Sequence, residues 1–173
     1  MEKFEYIKNN LEKIIKNMEE AKKSSPYGQE TGLLIAGKYA SAEELNYAAS
    51  LGYTCVGENR VQQLLYKYDK LDKSIELHFI GTLQKNKVKY IIDKVKLIHS
   101  LDSPSLAEEI ERRASEKNLK MGVLIEINIG GEDTKGGIAP SEALAFADMI
   151  NSFPHLELRG VMTMGPKSED EAQ

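Results

Sequence analysis

The chain has 173 residues, 41% of them hydrophobic and 29% charged, which is enough for one globular domain with a buried core. Its 23 basic and 27 acidic residues give a net charge of −4, which does not favour a nucleic-acid or membrane surface. Cys55 is the only cysteine, so an intramolecular disulfide is excluded. The charged first residues do not resemble a signal peptide and no apolar run has membrane-spanning length, so we expect a cytoplasmic protein.

The chain opens with a predicted helix and a predicted strand. Residues 2–24 carry apolar side chains at steps of three and four, which is typical of an amphipathic helix. The apolar run 33–36 predicts a short buried strand that Gly37 ends, with Lys38 directly after it. In α/β proteins the strand C-termini are where ligands gather, and a partly desolvated lysine there can attack an aldehyde. The alternative interpretation is an ordinary exposed lysine.

The next segment has the pattern of a capped helix. Ser41 and Glu44 have the spacing of a capping box, in which each residue satisfies a free backbone N–H group of the other. Gly52 stands where a left-handed residue commonly ends a helix. The apolar face of this helix is expected to bury Leu45, Ala48 and Ala49.

Five more apolar runs predict strands, and helical patterns separate them. The strands are expected at residues 53–56, 77–80, 95–99, 121–129 and 156–163. The helices are expected to begin near Val61, Val88, Ser103, which should cap its helix, and Pro140. This alternation predicts an α/β fold with a parallel sheet covered by helices. Either the sheet is open and doubly wound, or a (β/α) barrel is cut short, because a closed barrel needs about eight strands.

The predicted strand ends bring polar residues and glycines to one edge of the sheet. They are Lys38, residues 57–59, Gly81, Ser100, residues 128–137 and residues 163–165. Glycines allow close approach of a ligand, and asparagine amides both donate and accept hydrogen bonds, so this set suits a small polar ligand. The sequence has no P-loop or Gly-x-Gly-x-x-Gly motif after a strand.

The histidines do not predict a metal site. His78, His99 and His155 have no His or Cys neighbour at ligand spacing, and no pair of carboxylates is obviously matched. His78 and His99 alternate with strand residues, so we interpret them as satisfied histidines in or near the core. The run of lysines between residues 85 and 96 interleaves with apolar residues and predicts a solvent face of a helix rather than a nucleic-acid surface.

Several short motifs occur together in order between about Leu33 and Thr163. They are Lys38 after a strand, GENRVQ at residues 57–62, HFIGTLQKNK at 78–87, HSLD at 99–102, EIN with EDTKGGI at 126–138, and LRGVMT at 158–163. This ordered set resembles the pyridoxal phosphate homeostasis proteins. Two departures stand out: the residues flanking Lys38 are not those usual in the family, and family members continue beyond the last predicted strand.

The resemblance implies a TIM-type (β/α) barrel like the N-terminal barrel of alanine racemase, here truncated after about the sixth strand. Residues 1–173 would form one barrel domain that lacks its C-terminal βα units, among them the phosphate anchor. Pyridoxal 5′-phosphate would bind at the strand C-termini, with Lys38 forming the Schiff base. The cofactor-binding residues implied by the resemblance are Lys38, Asn59, Gly81, Lys135 and Met162.

The function implied is binding of pyridoxal phosphate in vitamin B6 and amino-acid homeostasis, without catalysis. Two alternatives stay open: a racemase or lyase on the same barrel, for which Tyr39 and Lys135 are the candidate second acid/base groups, and a fragment that no longer binds the cofactor. We expect no nucleic-acid or membrane partner, and self-association through exposed sheet edges.

Overall fold

The computed structural model describes residues 4–130 and 136–165. The strands are β1 (Ile35–Ala36), β2 (Cys55–Glu58), β3 (Glu76–Phe79), β4 (Leu97–Leu101), β5 (Met121–Glu126) and β6 (Leu156–Met162). The helices are α1 (Glu5–Ser24), α2 (Ala42–Ser50), α3 (Val61–Tyr68), α4 (Val88–Ile91), α5 (Pro104–Glu116) and α6 (Ala143–Asn151). Short 3₁₀ turns lie at Gly37–Tyr39, Lys85–Lys87 and Pro140–Glu142.

The strands form a parallel sheet in the order β1-β2-β3-β4-β5-β6, so each strand pairs with its neighbour in the chain. This confirms the predicted α/β class. In a doubly wound sheet the strand order reverses at a switch point, whereas the strands of a (β/α) barrel follow one another in sequence. The observed order is therefore that of the barrel fold, which the hydrophobic pattern alone left open.

Several strand bounds differ from the prediction. The first strand is only two residues long, because Leu33 and Leu34 line a groove beside α1 instead of pairing with β2. Gly57 and Glu58, expected in a loop, belong to β2, since they continue its ladder with β3. In the same way β4 extends two residues beyond His99, while β5 ends at Glu126, three residues early.

The helix ends follow the local signals with one exception. The capping box of α2 is present: the Ser41 amide donates to Glu44 Oε2 at 2.6 Å, and the Glu44 amide donates to Ser41 Oγ at 3.2 Å. Gly52 has φ of +95°, the left-handed conformation expected there. At α5, Pro104 occupies the first turn as predicted, and Ser103 stands at the N-cap position. The expected side-chain cap is wrong, because the Ser103 side chain makes no capping hydrogen bond.

The core lies between the sheet and its helices. Adjacent residues of a strand point to opposite faces, and the helix-facing ones are fully buried, as Val56, Ile98 and Val123 show. They pack in one cluster with residues of the helices, including Leu64, Ile110 and Ile150. The side chains of the opposite face, such as His78 and His99, are only half-buried. No helix among the described residues is long and apolar enough to cross a membrane.

The two outer strands leave apolar surface exposed. Within the described residues β1 pairs only with β2, and β6 pairs only with β5. Val161 of β6 is 60% exposed although its register partner Ile125 is buried. Self-association through these edges stays a prediction.

Candidate functional site

A cavity of about 480 Å³ opens at the C-terminal ends of the strands, and we call it the Lys38 cavity. Four of the five residues singled out in the sequence line it: Lys38, Asn59, Gly81 and Met162. The fifth, Lys135, lies outside the described residues. The remaining lining residues are Arg60, Ile80, Thr82, Glu126, Ile127, Asn128, Gly136 and Met164.

Lys38 lies in the 3₁₀ turn that follows β1 directly. Its side chain is exposed among the described residues, so the partial desolvation expected from its position is wrong there and the alternative, an exposed lysine, holds. Lys38 Nζ lies 4.8 Å from the centre of the Tyr39 ring. A hydrogen bond from Lys38 lowers the pKa of the exposed Tyr39 hydroxyl. Lys38 thus lines the cavity, while its amine contacts Tyr39, which is not a lining residue.

A buried ion pair lies beneath this turn. Lys67 Nζ, on α3, donates hydrogen bonds to the carbonyl oxygen of Gly37 and to Glu58 Oε1, both at 2.6 Å. The side chains of Lys67 and Glu58 are only 6% and 1% exposed. Sequence reasoning missed this contact. The available signal was spacing, since Lys67 follows Val61 and Leu64 at steps of three on the buried face of the helix.

Gly81 allows the chain to pass close to Asn59. A Cβ atom at residue 81 would overlap the carbonyl oxygen of Asn59 and would come within 2.8 Å of two other Asn59 backbone atoms. Ile80, just before it, donates its amide to the Glu58 carbonyl oxygen at 2.9 Å. Only glycine fits here without a backbone shift, so this glycine shapes one side of the cavity.

Glu126, on the other side of the cavity, belongs to a pair of carboxylates where the sequence had suggested none. Glu126 ends β5 and Asp102 directly follows β4. Burial, and then the neighbouring charge of Asp102, raise the pKa of Glu126. A Cβ atom at Gly136 would lie 3.4 Å from both Glu126 oxygens and 3.6 Å from Asp102 Oδ2, so this glycine lies against the pair. The site therefore holds a half-buried group that retains its proton more readily than an ordinary glutamate.

Two histidines pair on the face of the sheet that is turned away from the helices. His78 Nδ1 and His99 Nε2 are 2.9 Å apart, and Cys55 Sγ lies 3.8 Å from both ring nitrogens of His78. Burial lowers the pKa of both rings, that of His99 to about 4, so the pair is neutral at pH 7. The prediction of satisfied histidines is confirmed for His78 and His99. His155 bonds to Glu111 instead.

A second cavity, of about 490 Å³, lies at the opposite ends of the strands. Its lining includes Tyr68, Asp72, Asp93 and Lys96, which precede β3 and β4 or end α3. Because ligands of parallel α/β sheets bind at the strand C-termini, the Lys38 cavity is the better candidate site. Within residues 4–130 and 136–165, no three His, Cys, Asp or Glu side chains are grouped as metal ligands.

The fold and sequence match known proteins. The sequence model described as "Alanine racemase, N-terminal domain" matches residues 9–173. The pyridoxal phosphate homeostasis protein of Aquifex aeolicus is 42% identical over 162 residues, which cover 92% of this chain and 71% of that protein. The structure of PipY from Synechococcus elongatus with PLP bound matches with a TM-score of 0.76 and 25% identity, over 91% of this chain and 73% of PipY.

Two enzymes share the fold at lower identity. Diaminopimelate decarboxylase from M. jannaschii has a TM-score of 0.74 at 19% identity, over 92% of this chain and 40% of the enzyme. Alanine racemase from Clostridium difficile has a TM-score of 0.68 at 13% identity, over 80% of this chain and 37% of the racemase. These two matches show a common fold alone. The family match and the identity to the Aquifex protein go further, and this chain belongs to the pyridoxal phosphate homeostasis proteins, within the family of the alanine racemase N-terminal domain.

Proposed function

We propose that this chain binds pyridoxal 5′-phosphate in the Lys38 cavity and serves in homeostasis of that cofactor without catalysing a reaction. The observation that carries the proposal is the position of Lys38, an exposed amine that directly follows a strand and lines the cavity. The family and the names of its members support it, as does PipY, whose structure has PLP bound.

The residues of the cavity fit this cofactor. When bound, pyridoxal phosphate supplies an aldehyde, with which a lysine amine can condense as water leaves. Lys38 would hold the cofactor covalently, and Arg60 offers a positive charge for its anionic groups. Asn59 and Asn128 offer amide groups, and the cavity of about 480 Å³ is within the usual range for small ligands.

The carboxylates favour one alternative, an enzyme acting on amino acids. A racemase or lyase needs a second group that can accept or donate a proton near the substrate carbon. Glu126 lines the Lys38 cavity, and its raised pKa suits that role better than the exposed Tyr39 does. Incubation of the loaded protein with L-alanine and L-serine, followed by chiral chromatography, tests this alternative: any D-isomer or deaminated product that disappears in Glu126→Gln would support it.

The main proposal is tested by trapping the cofactor. We expect that borohydride reduction of the protein mixed with pyridoxal phosphate leaves one phosphopyridoxyl group, the cofactor less water plus two hydrogens, which peptide mass spectrometry locates on Lys38. The Lys38→Ala variant should lose this product. Lys96→Ala is the matched control, because Lys96 is exposed at the opposite end of the sheet. Equal labelling of the wild type and Lys38→Ala would overturn the proposal.

A further inference from the structure

The buried ion pair beneath Lys38 is not explained by stability. Burying two charges costs free energy that their attraction often does no more than offset, and apolar residues of similar size commonly stabilise a protein as well or better. Glu58 depends on this one partner: its Oε2 atom is buried and has no hydrogen-bond partner among the described residues. We therefore ask which part of the structure the ion pair holds in place.

What it holds is the peptide that leads into Lys38. The carbonyl oxygen of Gly37 accepts one hydrogen bond from Lys67 Nζ at 2.6 Å and another from the Ala40 amide at 3.1 Å. The second bond closes the 3₁₀ turn that carries Lys38. The first ties the turn to α3, so its position does not depend only on β1, which has two paired residues.

The space around Gly37 shows how closely the turn is seated. A Cβ atom at residue 37 would lie 2.9 Å from Glu58 Oε1 and 3.2 Å from Val56 Cγ1. The turn therefore rests directly on the carboxylate that pairs with Lys67. Glu58 is also the residue before Asn59, so the same pair connects Lys38 to a second wall of the cavity.

We propose that Lys67 and Glu58 are positioning residues for Lys38. Together they fix the peptide between Gly37 and Lys38, and so they set the direction from which the amine enters the cavity. This rests on the proposed function as far as the cofactor is concerned, but the effect on the turn is independent of it. Neither side chain touches the cofactor in this role.

The variant that tests the proposal is Glu58→Gln combined with Lys67→Met. It removes both charges together, which avoids the strongly destabilising effect of leaving one buried charge unpaired. The matched control is Glu109→Gln with Arg113→Met, which removes a pair of the same charges on α5, away from the cavity. Thermal unfolding establishes that both double variants are folded.

The first measurement needs no cofactor. Hydrogen exchange of the Ala40 amide reports on the turn, because this amide bonds to the Gly37 carbonyl. We expect exchange at least about tenfold faster in the Glu58/Lys67 variant, since hydrogen bonds to charged groups are among the stronger ones in proteins. Exchange in the control variant should equal that of the wild type. Unchanged Ala40 exchange in the Glu58/Lys67 variant would overturn the proposal.

The second measurement is the rate of cofactor capture on Lys38, trapped with borohydride. We expect about a tenfold slower rate in the Glu58/Lys67 variant and an unchanged rate in the control. Faster Ala40 exchange with an unchanged capture rate would overturn the link between the turn and the amine. A wild type that captures nothing would defeat the proposed function, while Ala40 exchange would still decide whether the pair positions the turn.

A second variant guards against misfolding of the first. Gly37→Ala places a methyl group 2.9 Å from Glu58 Oε1 and displaces the pair while leaving both charges present. It should accelerate Ala40 exchange in the same direction. Wild-type exchange in this variant would contradict the seating of the turn on Glu58.

Discussion

The two sides of the Lys38 cavity are built in opposite ways. On the lysine side, formed by Lys38, Asn59 and Gly81, the charged group is exposed and the charges that support it are buried. On the carboxylate side, where Glu126 lines the cavity and Asp102 lies beside Glu126, the charged group itself is half-buried. The first side is thus fixed in position by contacts beneath it, whereas the second is adjusted in protonation by its surroundings. Substitutions should change geometry on one side and titration on the other.

The sharpest contrast is between the two glycines of the cavity. Gly81→Ala puts a methyl group into the Asn59 carbonyl oxygen, which requires a backbone shift, and we expect a loss of about 3 kcal/mol in the free energy of unfolding. Gly136→Ala meets its nearest atoms at 3.4 Å, an ordinary contact, and should change stability by less than about 0.5 kcal/mol. Urea denaturation measures both. Similar losses in the two variants would contradict the contrast.

The histidine pair lies on β3 and β4, between the lysine side and the carboxylate side of the cavity. It should give the next largest effect, a dependence of the free energy of unfolding on pH. The pKa of His99 is lowered from 6.5 to about 4 by burial and by His78, so the unfolded chain binds more protons than the native protein between these values. The free energy of unfolding is therefore unaffected by His99 above pH 6.5, and the destabilisation due to His99 grows as the pH falls toward 4. Because the ring is half-exposed, we expect a loss of about 1 kcal/mol.

The His99→Gln variant should lack this component. Urea denaturation of wild type and variant at several values between pH 7 and pH 4 separates it from the titration of carboxylates, which the two proteins share. His155→Gln is the control, since that ring bonds to Glu111 rather than to another histidine. An identical pH dependence in wild type and His99→Gln would show that the pair does not titrate as described.

The smallest effect is expected on the carboxylate side. A raised pKa means that native Glu126 binds more protons than the unfolded chain, so its contribution to stability falls as the pH rises above about 4.5. Glu126→Gln should therefore be more stable than wild type at pH 8, by less than about 1 kcal/mol because the group is partly solvated, with a smaller difference at pH 4. Thermal unfolding at the two pH values tests this, with the exposed Glu157→Gln as control. A variant less stable than wild type at pH 8 would refute it.

Features set by neighbouring residues could be predicted from the sequence. The capping box at Ser41 and the left-handed Gly52 depend on a few adjacent side chains, and both are present. The placement of Lys38 follows from an apolar run ended by glycine, even though only the second half of that run pairs. The sheet order was open, because strand pairing depends on the packing of distant segments.

Features set by distant residues were missed, and the errors have one cause. Lys67 and Glu58 are ordinary charged residues in the sequence and form a pair only when α3 packs against the sheet. The end of β4 was predicted at His99, two residues too early. The strand continues to Leu101, which brings Asp102 level with the end of β5 and beside Glu126.

The sequential order of the strands also has a consequence for synthesis. Each strand pairs with the one made just before it, so the sheet can assemble from the N-terminus while translation continues. Gly37, Glu58 and Lys67, which hold the lysine turn, all precede β5 in the chain and are therefore synthesised before it. A nascent chain can therefore contain every group of the lysine turn while Glu126, on the other side of the cavity, is still unmade.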